Sequence, residues 1–113
     1  MPVKAPGVVK YEVEEYETAD GACPYVDWIR SLRDKQGQAK IRVRIDRVKI
    51  GNFGEHRGVG EGVKELVINF GPGYRVYYGH DGDKIIILLG GGDKKTQVED
   101  IRRAKLHWAE YWR

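Results

Sequence analysis

The chain has 113 residues, enough for one domain around one core. A hydrophobic content of 41% excludes a disordered polymer, and no apolar run approaches the ~20 residues of a membrane span. The formal net charge is +3, and the single cysteine, Cys23, excludes an internal disulfide.

The opening MPVKAPGVVKYEVEEYE has no long apolar run of the secretory kind, so a cytoplasmic protein with no membrane association is expected. Val9, Tyr11 and Val13 alternate with Lys10, Glu12 and Glu14, the period of a half-buried strand. A turn follows at Asp20-Gly21. Pro24 suits the first turn of a helix running to about Arg33, with Trp28, Ile29 and Leu32 on its apolar face. The segment QAKIRVRIDRVKIG fits either period: Ile41, Val43 and Ile45 alternate, while Ile41, Ile45 and Val48 share a helical face. Its length and the stop at Gly51 favour a helix. From Phe53 to Gly62 the glycines Gly54, Gly58, Gly60 and Gly62 predict a mobile loop.

Three strands follow closely. Leu66, Ile68 and Phe70 share a face of the first, and Gly71-Pro72-Gly73 is a turn. The second is YRVYY, Tyr74 to Tyr78, with Arg75 and Tyr77 opposite Tyr74, Val76 and Tyr78. HDGD, His80 to Asp83, signals a hairpin, and KIIILL, apolar on both faces, reads as a central strand. Val98, Ile101, Ala104, Trp108 and Trp112 form a helical stripe to the C-terminus. The expected architecture is an α+β fold of order β-α-α-β-β-β-α, a small mainly antiparallel sheet packed by helices, in one domain over residues 1–113.

Lys40, Arg42, Arg44, Arg47 and Lys49 form one basic cluster; Lys94, Lys95, Arg102, Arg103 and Lys105 form another. They fit a polyanionic partner and equally two solvated helix faces. GGGDKKT is a near-miss for the nucleotide loop G-x-x-x-x-G-K-[ST]. With Lys95 and Thr96 in the last two positions, the glycines fall on Leu89 and Lys94. A weaker anion site survives there, at a helix start strengthened by Lys94 and Lys95, beside the simpler reading of a glycine turn capped by Asp93 or Thr96. Arg75 can grip a phosphate bidentately and Tyr77 can stack on a base, or both can decorate an exposed sheet face. His56, His80 and His107 lack metal-ligand spacing, so no metal and no cofactor is expected. Cys23 reads as a buried small residue; His56, beside Asn52 in the glycine loop, could act as a general acid or base but reads first as a solvated loop residue.

In order, YVDWIRSLRDKQGQAKIRVRIDRVKIGNFG, GVKELVINFGPGYRVYYGHDGDKIIILLGGGDKKTQ and DIRRAKLHWAEY resemble the RelE/HigB-type toxins of type II toxin–antitoxin systems, in their branch of phage-derived addiction-module killer proteins. The resemblance runs from about Tyr11 to the C-terminus. It implies a RelE-like fold and a metal-independent endoribonuclease that cuts mRNA, usually on the ribosome, by attack of the RNA 2′-OH on the adjacent phosphate. It also implies a cognate antitoxin, commonly a helix-turn-helix protein from the adjacent gene, with operator DNA bound only through the toxin–antitoxin complex. By the same resemblance Arg75 takes the place of the family's strand arginine. Lys94 would hold phosphate or protonate the leaving oxygen, and Lys64 would lower the 2′-OH pKa or serve as base. Lys95, Thr96, Arg47 and Tyr77 would bind flanking RNA. The chain departs from the pattern at Val67, where many relatives carry arginine. His107 and Tyr111 do not align with the histidine or tyrosine of relatives' last helix, so the general acid and base stay unassigned. The same superfamily contains ParE-type toxins that poison gyrase, so a toxin acting on a protein target and a non-catalytic nucleic-acid-binding module are the competing expectations.

Overall fold

A computed structural model describes residues 9–113; the start of the segment weighed as a secretory signal lies outside them. The elements are β1 (Glu12–Glu15), α1 (Pro24–Ser31), α2 (Lys35–Lys49), β2 (His56–Gly60), β3 (Val63–Ile68), β4 (Tyr74–Asp81), β5 (Ile85–Asp93), a 3-10 turn (Lys94–Thr96) and α3 (Gln97–Tyr111). The strands form one sheet in the order β1-β5-β4-β3-β2. β1 runs parallel to β5, and the other pairs are antiparallel.

The α+β class stands, with one strand more than expected. The segment read as a mobile glycine loop contains β2, paired with β3 from His56↔Leu66 to Gly60↔Val63. Its glycines serve the tight reversal into β3, where Gly60, Glu61 and Gly62 all have positive φ (104°, 56° and 82°). β2 is an almost fully exposed edge strand, so no apolar alternation marks it in the sequence. The ambiguous QAKIRVRIDRVKIG segment is helical. Asp34 caps α2, its carboxylate accepting the Gly37 N–H at 2.9 Å, and fixes a start three residues before that segment.

The sheet lies between two helical layers. On one face Tyr25 and Ile29 of α1 and Ile41, Ile45 and Val48 of α2 pack on Leu66, Ile68, Tyr74, Val76, Tyr78, Ile86 and Leu88. On the other, Ala104 and Trp108 of α3 pack on Val63, Tyr77, Ile87 and Leu89. β5 is therefore apolar on both faces, as a central strand should be. The α3 stripe is narrower than its sequence period implies: Val98 and Trp112 point outward, 87% and 55% exposed.

The three glycines of LLGGGD do not form a loop. Gly90, Gly91 and Gly92 continue β5 and pair with Tyr77, Val76 and Arg75. Their lack of a side chain is what both layers use. The Trp28 ring of α1 lies against Gly91, and Asp100 and Thr96 crowd Gly92 from the α3 side. A methyl group at Gly91 would run into the indole, so Gly91→Ala is expected to cost about 1–3 kcal/mol in thermal or denaturant unfolding. An unchanged midpoint would show that Trp28 can move away freely.

His80, on β4, is wedged among Phe53, Tyr11 and Tyr78. Burial, with Lys64 and His56 nearby, pushes its pKa below the usual 6.5. The unfolded chain then binds the proton more readily. Stability should rise with pH from the lowered folded pKa up to about 6.5 and then level off. His80→Phe should flatten that part of the profile in urea titrations at successive pH values, and a profile like the parent's would remove His80 as its source.

Candidate nucleic-acid interface

The α3 face of the sheet carries an acid in a place that ought to be apolar. Glu65, on β3 and 0% exposed, sits between Arg57 on β2 and Tyr77 on β4 in the strand register. Its Oε1 accepts from Arg57 Nε at 2.7 Å and its Oε2 from Gln97 Nε2 at 2.8 Å. Arg75 Nε lies 3.9 Å from Oε2, close enough for charge attraction but outside hydrogen-bond range. A buried carboxylate needs such partners, because an unpaired charge there is costly to desolvate. Glu65 thereby ties the edge strand β2, the start of α3 and Arg75 of β4 together.

Arg75 is held but not consumed. Its side chain is 9% exposed, and its Nη1 donates to the Tyr74 carbonyl at 3.2 Å. Its Nε is buried without a hydrogen-bond partner. A guanidinium has five N–H donors, so this one keeps most of its bonding capacity unspent, an unusual state for a group so enclosed. The residue lines a shallow depression with Asn69, Phe70, Gly71, Pro72, Gly73 and the exposed Lys94. Asp93 caps the 3-10 turn that follows β5, its carboxylate accepting the Lys95 N–H at 2.8 Å, and so places Lys94 at the rim. Asn69 and Phe70 also line a second depression with Gln36, Ala39, Lys40, Val43, Arg44, Arg47 and Ile68.

The expected site residues divide accordingly. Arg75 and Lys94 share one depression, and Arg47 lies in the adjoining one. Lys95 and Thr96 line a different cleft, between the starts of α1 and α3, which also holds Asp93, Glu99 and Asp100. The Thr96 hydroxyl donates to Asp100, whose carboxyl burial pushes upward in pKa. Lys64 does not join them. It pairs with Tyr78 in register and so points to the α1/α2 face, whereas Val67, the partner of Arg75, points to the α3 face. Tyr77 is 0% exposed under α3, which leaves no ring face for a base. Burial and then Glu65 push its phenol pKa strongly upward. The sheet face expected to be exposed at Arg75 and Tyr77 is covered by α3, whose first residue, Gln97, bonds the buried Glu65.

Cys23 is half-buried. His56 is exposed and bonds the Gly54 carbonyl at 2.8 Å. His107 and Tyr111 sit on the α3 side, Tyr111 donating to Asp81, away from the Arg75 depression. Among the described residues no three His, Cys, Asp or Glu side chains converge as metal ligands, and no helix is long and apolar enough to cross a membrane. Glu65 was missed in the sequence. The signal was available: in VKELVI it alternates in phase with Val63 and Val67, so a charge on a core face required partners.

Residues 27–110, which contain this whole arrangement, match the family described as phage derived protein Gp49-like. The chain belongs to the Gp49-like family. That family is associated with toxin–antitoxin systems. An uncharacterized protein of Haemophilus influenzae is 47% identical over 79 residues, covering 70% of this chain and 80% of the relative. In this Gp49-like chain the matched span begins inside α1 and ends one residue before the end of α3, so Arg75, Lys94, Arg47 and Glu65 all fall within it.

Proposed function

We propose that this Gp49-like chain is the toxin of a type II toxin–antitoxin module and a metal-independent mRNA endoribonuclease of RelE/HigB type, acting on the ribosome and neutralised by a cognate antitoxin. The observation that carries the reading is the enclosed, underused Arg75 guanidinium at the floor of a depression whose rim holds Lys94 and whose lining contains no carboxylate.

The reaction suits two cations. The 2′-oxygen of one nucleotide attacks the following phosphorus and loses its proton. The bond from phosphorus to the 5′-oxygen breaks, and that oxygen takes up a proton. The products are a 2′,3′-cyclic phosphate and a 5′-hydroxyl. The non-bridging oxygens gain negative charge on the way, and a fixed guanidinium at Arg75 stabilises it. Lys94 neutralises the phosphate at the rim or delivers a proton to the leaving 5′-oxygen. Arg47 binds a flanking phosphate.

A second reading has its own observation. Val98 and Leu106 of α3 and Trp112 at its C-terminal cap are exposed apolar side chains that a protein partner would cover. In the proposed module that partner is the antitoxin; in the competing reading it is a protein target such as gyrase. Induced expression followed by primer extension on cellular mRNA separates the two. Discrete new 5′ ends inside coding regions support the ribonuclease, whereas growth arrest with intact mRNA and damaged DNA supports the protein-target reading.

A further inference from the structure

The depression that holds Arg75 and Lys94 and the one that holds Arg47 share Asn69 and Phe70, so they adjoin at the end of β3. Their joint lining includes Lys40, Arg44, Arg47, Arg75 and Lys94 and no aspartate or glutamate. Three other depressions among the described residues each include at least two carboxylates in the wall. The nearby acids are already engaged. Glu55 accepts from Asn69 Nδ2 at 2.7 Å, and Asp34 accepts from the Tyr74 hydroxyl at 2.8 Å as well as capping α2. Arg44 is also engaged, donating to the carbonyls of Val67, Phe53 and Glu55, so it shapes the wall and leaves Lys40, Arg47, Arg75 and Lys94 to meet a ligand.

Phe70 sits between the two cationic ends. It is half-buried, packed on the α1/α2 core, and Lys40 Nζ lies 5.2 Å from its ring centroid. A cation held over an aromatic ring at an exposed site is bound by little, and a flat π-system can displace it. Phosphate-binding cations on both sides of a displaceable ring cover are what a single strand of nucleic acid needs: charge for the backbone and a stacking surface for one base. A duplex would not serve, because its bases are already stacked.

We propose that Phe70 is a nucleobase platform in a single-stranded RNA trough that runs from Arg75 and Lys94 to Lys40 and Arg47. The base beside the scissile phosphate stacks on Phe70, Lys40 swings off the ring onto the next phosphate, and the bound strand is fixed in register over Arg75. This rests on the endoribonuclease reading, because it assigns the substrate of that same site.

The test uses a fluorescein-labelled RNA oligonucleotide with 2′-O-methyl groups throughout, which lacks the nucleophile and reports binding alone. Phe70→Leu keeps the apolar packing and removes the ring face; it should weaken binding roughly 5- to 100-fold in anisotropy titrations. Phe70→Trp should bind at least as well as the parent. An abasic residue at one position should weaken the parent by a similar factor and add little to the Phe70→Leu loss. Lys40→Ala should reduce the salt dependence of binding by about one phosphate contact. Equal binding by Phe70→Leu and the parent, or an abasic penalty of the same size in both, would overturn the platform while leaving the ribonuclease reading intact. Displacement of the RNA by poly-glutamate at equal charge concentration would also overturn it, in favour of a trough that reads charge alone. If the parent bound no RNA, the platform would fall, while the ribonuclease reading would stand or fall by cleavage on programmed ribosomes.

Discussion

Arg75→Ala is expected to lower mRNA cleavage by roughly 10²–10³-fold while leaving the chain folded. The catalytic part follows from what Arg75 does not do: the protein uses few of its donors, so its removal takes charge from the depression rather than from the core. The folding part follows from Glu65. That carboxylate keeps its hydrogen bonds to Arg57 and Gln97 when Arg75 is gone, since Arg75 stands 3.9 Å away. Arg75→Lys should recover only part of the activity, because an ammonium is a point charge and cannot grip two phosphate oxygens in a plane. Cleavage assays with far-ultraviolet circular dichroism on the same samples check both halves. Full activity in Arg75→Ala would remove this residue from the site.

Glu65→Ala should have the opposite profile, with a large effect on stability. It removes the one carboxylate that serves Arg57, Gln97 and Arg75 together, and the site is fully buried. Its loss strands the buried Arg75 charge and leaves Gln97 Nε2 without its acceptor, while the half-exposed Arg57 can turn to water; the cost is about 1–3 kcal/mol or more, so the melting temperature should fall by at least ~5 °C. Glu65→Gln keeps an acceptor and adds a donor in the same volume, and should lose distinctly less. If Glu65→Ala melted with the parent, the ties among β2, α3 and Arg75 would carry no weight.

The sequence was most informative where burial imposes a period. The apolar KIIILL segment is the central strand, the caps and stops around α2 resolve an ambiguous period into a helix, and Gly71-Pro72-Gly73 turns as its composition demands. Legibility failed where side chains answer to a third partner. β2 is an edge strand with little burial, so nothing in its own residues separates it from a loop. LLGGGD looked like a turn because glycines usually supply conformational freedom. Here they supply room for Trp28 and Asp100 across a continuous strand.

The site was legible in the same uneven way. Arg75 and Lys94 belong to separate motifs and share one depression. Tyr77 was placed with Arg75 by strand alternation, and the alternation was right, but α3 covers that face. Only the resemblance points to Lys64. Counting from its register partner puts it on the opposite face. Phe70 and Lys40 were invisible as a pair, because only the chain reversal after β3 brings that ring against α2.

The most direct measurement is the chemistry of the cut. The purified chain is mixed with ribosomes programmed with a short mRNA, and the ends of the fragments are determined. A 2′,3′-cyclic phosphate upstream and a 5′-hydroxyl downstream are expected, and a single 2′-O-methyl group on the nucleotide 5′ to the cut should abolish cleavage at that position. Intact mRNA under conditions where the same preparation arrests growth, or cleavage that ignores the 2′-O-methyl group, would contradict the account.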